Sequence, residues 1–256
     1  MTRTLLLFGA GPGIGDHVAA AFASTASIDH IVLLGRNTDR LQNEDAPFVQ
    51  NAAPSAKIDT LRADLSDLPS IPEVLSHLDD LTAGEDIEVV YYNAARIKPT
   101  DAVLDVDVRE IEEDFRVRTL SFLFFLASLI SRSPNAYQLQ VLGLHLISQH
   151  YIPKLQQAAR SNSGLKPALL VTNSHLSWDP VPQLLSLSVV KGAQRTHVIS
   201  LNRGFSESGV HCGLINVQGV VDPKNKVLSP AGIAKEVLEF WQKGEGVEIN
   251  LQEPGQ

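Results

Sequence analysis

The chain has one cysteine, Cys212, in 256 residues. That excludes an intrachain disulfide and fits a reducing compartment, so a cytoplasmic location is expected. Positive charge is also scarce: 21 Lys and Arg against 29 Asp and Glu give a net charge of −8, which argues against nonspecific binding to nucleic acid. Long hydrophobic runs are missing. The longest, Phe122 to Ile130 with its neighbours, falls short of the roughly 20 apolar residues that span a bilayer, and no membrane partner is expected. A strand-like run starts almost at Met1 and is expected to leave no room for a signal peptide. The sequence offers no metal site, internal repeat or second domain. What it does have is 44% hydrophobic and 20% charged residues, ordinary for a globular chain long enough to bury one large α/β core.

Strand-like runs alternate with helical ones, as a parallel sheet with helical crossovers requires. The strands read as Thr4 to Phe8, Ile31 to Leu34, Ile58 to Arg62, Glu88 to Tyr92, Ala168 to Thr172, Gly213 to Val217 and Val247 to Leu251. In a doubly wound sheet, ligands bind beyond the carboxyl ends of the strands. The residues that follow these runs are therefore expected along one rim.

The run Gly9-Ala10-Gly11-Pro12-Gly13-Ile14-Gly15 lies between the first strand and a helical stretch from His17 to Ala23. Glycines let the backbone turn tightly and approach a pyrophosphate, and the helix N-terminus offers free N–H groups to the anion. The spacing is G-x-x-x-G-x-G rather than the commoner G-x-G-x-x-G. Gly9, Gly11, Gly13, Ile14 and Gly15 are thus candidate cofactor contacts. Arg36 ends the second strand, where an acidic residue would bind a free ribose 2′-hydroxyl and a cation a 2′-phosphate. It favours NADP(H) over NAD(H). Asp64 either accepts a hydrogen bond from the adenine or caps a turn in Asp64-Leu65-Ser66-Asp67.

Together Gly9-x-x-x-Gly13-Ile14-Gly15, Asp64-Leu65, Tyr92-Asn93-Ala94-Ala95 and the helix bearing Lys191 resemble the short-chain dehydrogenase/reductase family across essentially the whole chain. More narrowly, Lys166 to Thr172 and Leu187 to Arg195 look like an atypical fungal-type branch. The resemblance implies a single-domain, doubly wound Rossmann-type α/β fold over residues 1–256. It also implies a seven-stranded parallel sheet with helices on both faces, a bound nicotinamide cofactor and a homodimer or homotetramer. Asn93, Ala94, Ala95, Lys191 and Gly219 join the implied cofactor contacts, Gly219 because Gln218-Gly219 replaces a proline-glycine pair. The family's chemistry uses a tyrosine as proton donor or acceptor, a lysine four residues on, a serine that orients the substrate oxygen and an asparagine that holds a water relay. Lys191 matches the lysine, and Ser174 stands 13 residues before the tyrosine position. That position is Leu187, which cannot carry a proton.

Three readings follow. The protein is an oxidoreductase acting on a carbonyl or alcohol of a small-molecule substrate through another acid, with His175, Ser174 and Lys191 as candidates. It is a non-redox cyclase or isomerase with bound cofactor. Or it is a noncatalytic NADP(H)-binding module. Trp178 either stacks on an aromatic substrate or packs on the core. The segment Val220 to Ser229 would cover the substrate and is short.

The stretch between Asn93 and Ser174 is longer than the family pattern needs. Joining Arg116 to Leu139 gives Asp-Phe-Arg-Leu-Gln-Val-Leu-Gly, similar to the family's Asp-Phe-x-x-Asn-Val-x-Gly. Gln140 then occupies the asparagine position, with Arg118 the alternative occupant. The intervening Val117 to Gln138 (117–138) is read as an insertion, either a retained intron of whole codons or a helix hairpin. Its deletion is expected to improve soluble expression, since Phe122 to Leu126 exposed together would form an apolar patch.

Overall fold

Seven short apolar runs become seven strands. The computed structural model describes residues 1–26, 28–95 and 138–255. The strands are β1 (Arg3–Phe8), β2 (His30–Gly35), β3 (Lys57–Arg62), β4 (Asp86–Tyr92), β5 (Ala168–Ser174), β6 (His211–Gln218) and β7 (Glu248–Gln252). The helices are α1 (Ile14–Thr25), α2, α3 (Ile71–Leu81), α4 (Gly143–Ser161), α5 (Leu185–Phe205) and α6 (Pro230–Lys243). α2 is composite: Thr38–Arg40, a π-helical turn over Leu41–Asp45, and Ala46–Ala52.

All strand pairs are parallel, in the order β3-β2-β1-β4-β5-β6-β7. This is the doubly wound Rossmann-type α/β fold. Strand order reverses between β1 and β4, and the crevice at such a switch point is where ligands bind.

Successive side chains on a strand face opposite sides, and both sides of this sheet are covered. On β1, Leu5 and Leu7 pack with Val18 and Phe22 of α1, Val49 of α2 and Trp241 of α6. Leu6 and Phe8 point the other way, toward Leu75 of α3, Tyr151 and Leu155 of α4 and Val198 of α5. A strand buried on both faces must be apolar throughout, which is why these runs stand out in the sequence.

Buried charges at the amino edge of the sheet are paired, as burial demands. The Glu88 carboxylate accepts from Arg3 Nε at 2.6 Å and from the Lys166 N–H at 2.7 Å. His30, fully buried, lies between Glu85 (2.6 Å) and Asp59 (3.0 Å). That network pins the end of the sheet opposite the glycine loop.

Val117 to Gln138, with Arg118 inside it, lies outside the described residues except for Gln138, which opens a π-helical turn, Gln138–Leu142, leading into α4. Among the described residues no helix is long and apolar enough to cross a membrane.

Candidate functional site

At the switch point three strands end level: Phe8 is in register with Leu34 of β2 and Tyr92 of β4. The chain leaving each end forms a wall of one cleft of about 950 Å3. It is lined by Gly9, Gly11, Gly13 and Ile14 after β1, by Arg36 to Arg40 after β2, by Ala63 and Leu65 after β3, and by Asn93, Ala94 and Ala95 after β4.

Gly9 has φ +97°, and a Cβ there would lie 2.6 Å from the Ala94 nitrogen. Neither constraint admits a side chain. A Cβ on Gly15 would lie 2.8 Å from the Gly9 carbonyl oxygen, so α1 sits directly against the loop. The Asn93 Nδ2 donates to that same carbonyl at 3.0 Å, tying the end of β4 to the glycine loop.

Gly13 differs. A Cβ added there would meet nothing within 4 Å, and no side chain caps the N-terminus of α1. Uncapped N–H groups, the positive end of the helix dipole and open space together fit a pyrophosphate. Arg36 is exposed at the rim of the cleft.

Asp64 makes the turn cap. Its Oδ1 accepts from the Ser66 N–H (3.1 Å) and hydroxyl (2.6 Å), and the Asp67 N–H closes the turn on its carbonyl. Asp64 thus caps the turn through Oδ1, between Ala63 and Leu65, which line the cleft wall. Gly219, at φ +135°, stands exposed past the end of β6, outside the walls of this cleft.

The remaining candidates gather around β5 and α5. Ser174 ends β5, and its Oγ accepts the Leu176 N–H at 3.3 Å. The His175 Nδ1 lies 3.4 Å from both the Ser174 Oγ and the Val217 carbonyl, at the long edge of hydrogen bonding. Lys191 is buried, and its Nζ donates to the Thr172 carbonyl (3.2 Å) and to Gln194 Oε1 (2.9 Å). Both acceptors are neutral. Burial pushes the Lys191 ammonium down to about 7.

The Gln194 Nε2 passes the chain on to the Gln140 carbonyl at 3.1 Å. Gln140 is fully buried, and among the described residues neither polar atom of its amide has a hydrogen-bond partner, nor does Oδ1 of Asn173 on β5. Buried unsatisfied amides are rare enough to mark a place where water or a ligand binds. Leu187 is 6% exposed, on the same helix as Lys191.

Trp178 does not pack on the core. It is 44% exposed, and the Arg195 guanidinium lies over its ring at 5.6 Å while forking onto Glu248. It is a surface ring holding an ion pair, not core packing. The segment 220–229 is anchored from the C-terminus: the Glu253 carboxylate accepts the N–H groups of Lys226, Val227 and Leu228.

Sequence reasoning missed two features. One is Gln194, an unremarked glutamine three residues past Lys191. The other is a charged clamp under the glycine loop formed by Asp16, Arg40 and Asp45. Its one signal was an acidic residue directly after Gly15.

No protein-family model matches the chain, and no curated protein matches it in sequence. Solved structures do match. The chain is similar to acetoin dehydrogenase from Enterobacter cloacae, with TM-score 0.75 and 15% identity over 98% of this chain and 94% of that one. It is similar to an alcohol dehydrogenase from Thermococcus sibiricus complexed with 5-hydroxy-NADP, with TM-score 0.72 and 20% identity over 99% and 97%. It is also similar to an NADPH-bound short-chain oxidoreductase from Pseudomonas aeruginosa containing an atypical catalytic center, with TM-score 0.72 and 16% identity over 96% and 94%. At these identities the likeness is one of fold: this chain has the architecture of short-chain dehydrogenases over nearly its whole length.

Proposed function

We propose that the protein is an NADP(H)-dependent oxidoreductase of the short-chain dehydrogenase type that interconverts a small-molecule carbonyl and alcohol without a tyrosine acid. The observation that carries the reading is the open, uncapped N-terminus of α1 at Gly13, flanked by Asn93 and Arg36. Backbone N–H groups there would hold the pyrophosphate, and Arg36 the 2′-phosphate. The fold neighbours support the same cofactor, since two of them hold NADPH or an NADP analogue.

When bound, the nicotinamide supplies or takes up the hydride at the substrate carbon. The oxygen also needs a proton, and Leu187 has none to give. Lys191 exchanges between ammonium and amine near neutrality, so it is the proton store of this reading. Ser174 already accepts the Leu176 N–H, which leaves its own proton free to orient the substrate oxygen. Gln194 and the Thr172 carbonyl hold the Lys191 Nζ in place. His175 is the remaining candidate beside Ser174.

Buried Leu187 favours the rivals, a non-redox cyclase or isomerase and a silent binding module. The test is turnover of an aldehyde and ketone panel with NADPH, run on the native protein beside Leu187→Tyr. Substrate-dependent NADPH consumption by the native protein is the expected result. Conversion with no change in cofactor redox state would select the cyclase or isomerase. Cofactor binding with no turnover across the panel would select the module.

A further inference from the structure

The glycine loop is gripped from below by three charged side chains. Asp16, in the first turn of α1, is 2% exposed, and its Oδ1 accepts the Gly11 N–H at 2.8 Å. Asp45, at the end of the π-helical turn of α2, is 1% exposed, and its Oδ2 accepts from Arg40 Nε at 3.1 Å. The Arg40 Nη2 donates to the Ala10 carbonyl at 2.7 Å. One guanidinium therefore lies between the loop and two buried carboxylates: it bonds Asp45 and the Ala10 carbonyl, while Asp16 holds the adjoining Gly11 N–H.

Two like charges out of water under one short loop, with a single cation to serve both, leave a charge uncompensated. They also leave Asp45 Oδ1, which has no hydrogen-bond donor among the described residues. A single proton between the two carboxyls removes both problems. Burial first, and then the Asp45 hydrogen bond and charge, push the Asp16 carboxyl up to about 7, against the opposing Gly11 N–H and Arg40.

Other charged groups on the surrounding elements point elsewhere. Arg36, Asp39 and Glu44 are exposed, and His17 turns its ring to the Gly13 carbonyl and Phe48. Lys235 of α6 pairs with Glu239, and from β4 the neutral Asn93 amide meets the loop.

We propose that Asp16 and Asp45 are positioning residues that share one proton, and that this proton holds the glycine loop in the shape that receives the cofactor's pyrophosphate. Losing it places a second buried negative charge beside an anion site and weakens the hold on Gly11. The proposal rests on the dinucleotide reading above. Cofactor affinity then falls as pH rises through neutrality, because the bound state retains the proton that the free state releases.

The test is the dissociation constant of NADPH and of NADH, by fluorescence titration from pH 6 to pH 8.5, for the native protein, Asp45→Asn and Asp16→Asn. NADH removes the titration of the 2′-phosphate itself. The native constant is expected to rise roughly tenfold over this range with both cofactors. Asp45→Asn carries a permanent donor toward Asp16 and is expected to bind with a flat profile near the native low-pH value; Asp16→Asn should be flat too. In the unliganded native protein, carboxyl carbon NMR should show one of the two aspartates titrating near neutrality, which tests the shared proton without any variant. A flat native profile, or one whose slope survives in both variants, overturns the proposal and leaves the dinucleotide reading standing. No binding at any pH by any of the three proteins overturns both.

Discussion

The two halves of the carboxyl rim are made of different materials. Beyond β1, β2 and β4 the wall of the cleft is mostly backbone: Gly9 at positive φ, Gly13 opening onto free space, Asn93 stitched to the loop. Beyond β5 and along α5 the candidates are side chains: Ser174, and the buried Lys191, Gln194 and Gln140. A backbone surface depends on shape, and a few glycines secure it. A side-chain surface changes its chemistry with a single replacement, and under the proposed reading Leu187 is such a replacement. On that reading one scaffold keeps the means to bind a dinucleotide while its proton chemistry is rebuilt.

The largest effect is expected on the side-chain half. Lys191→Met keeps the length of the side chain and removes its proton. Under the oxidoreductase reading kcat/KM falls about 10²–10⁴-fold, chiefly in kcat, while the NADPH dissociation constant moves by no more than about tenfold. A change confined to KM would reduce Lys191 to a binding group and break the division between the halves.

On the backbone half the side chain expected to matter most is Arg36. Arg36→Ala should weaken NADPH roughly 10- to 100-fold, the worth of a charge-assisted hydrogen bond, and leave NADH unchanged. Equal losses for both cofactors would place Arg36 elsewhere than at the 2′-phosphate.

The architecture was legible because its signals are repetitive. The inner runs, β1, β2, β4, β5 and β6, are buried on both faces as strands of a covered parallel sheet must be, the edge strands β3 and β7 are partly exposed, and every strand end falls within two residues of expectation. The glycine loop was legible because its spacing has a steric cause that Gly9 and Gly15 display. The clamp of Asp16, Arg40 and Asp45 was not. In sequence, charges on helices look like a solvated face, and only the π-helical turn over Leu41–Asp45 carries Asp45 inward. Asp64 was ambiguous because an aspartate that caps a turn and one that meets a base occupy the same place in the sequence. Gln194 was invisible because its role is set by where Lys191 points.

A smaller contrast lies in how acid acts on each half. His197 of α5 stands edge-on to His145 of α4, with ring centroids 5.2 Å apart. Burial, and then the neighbouring His145, push its imidazole down to about 4. The unfolded chain takes up that proton near pH 6.5, so His197 costs stability as pH falls from about 6.5 to about 4 and nothing above. Asp16 acts with the opposite sign. Its folded carboxyl keeps a proton up to about 7 that the unfolded chain releases near pH 4, so its contribution rises as pH falls across that window. Urea midpoints at pH 5 and pH 7 should therefore diverge: His197→Leu gains at pH 5 relative to the native protein, and Asp16→Asn gains at pH 7. The reverse order would mean that neither burial governs the titration.

The separation of the halves is tested most directly by titrating NADPH into the native protein and into Leu187→Tyr at one pH. The expected result is saturable binding with the same dissociation constant in both, within about twofold, because Leu187 lies outside the walls of the cleft that Gly9, Gly13, Asn93 and Arg36 form. No binding by the native protein, or binding that appears only once the tyrosine is present, would contradict it.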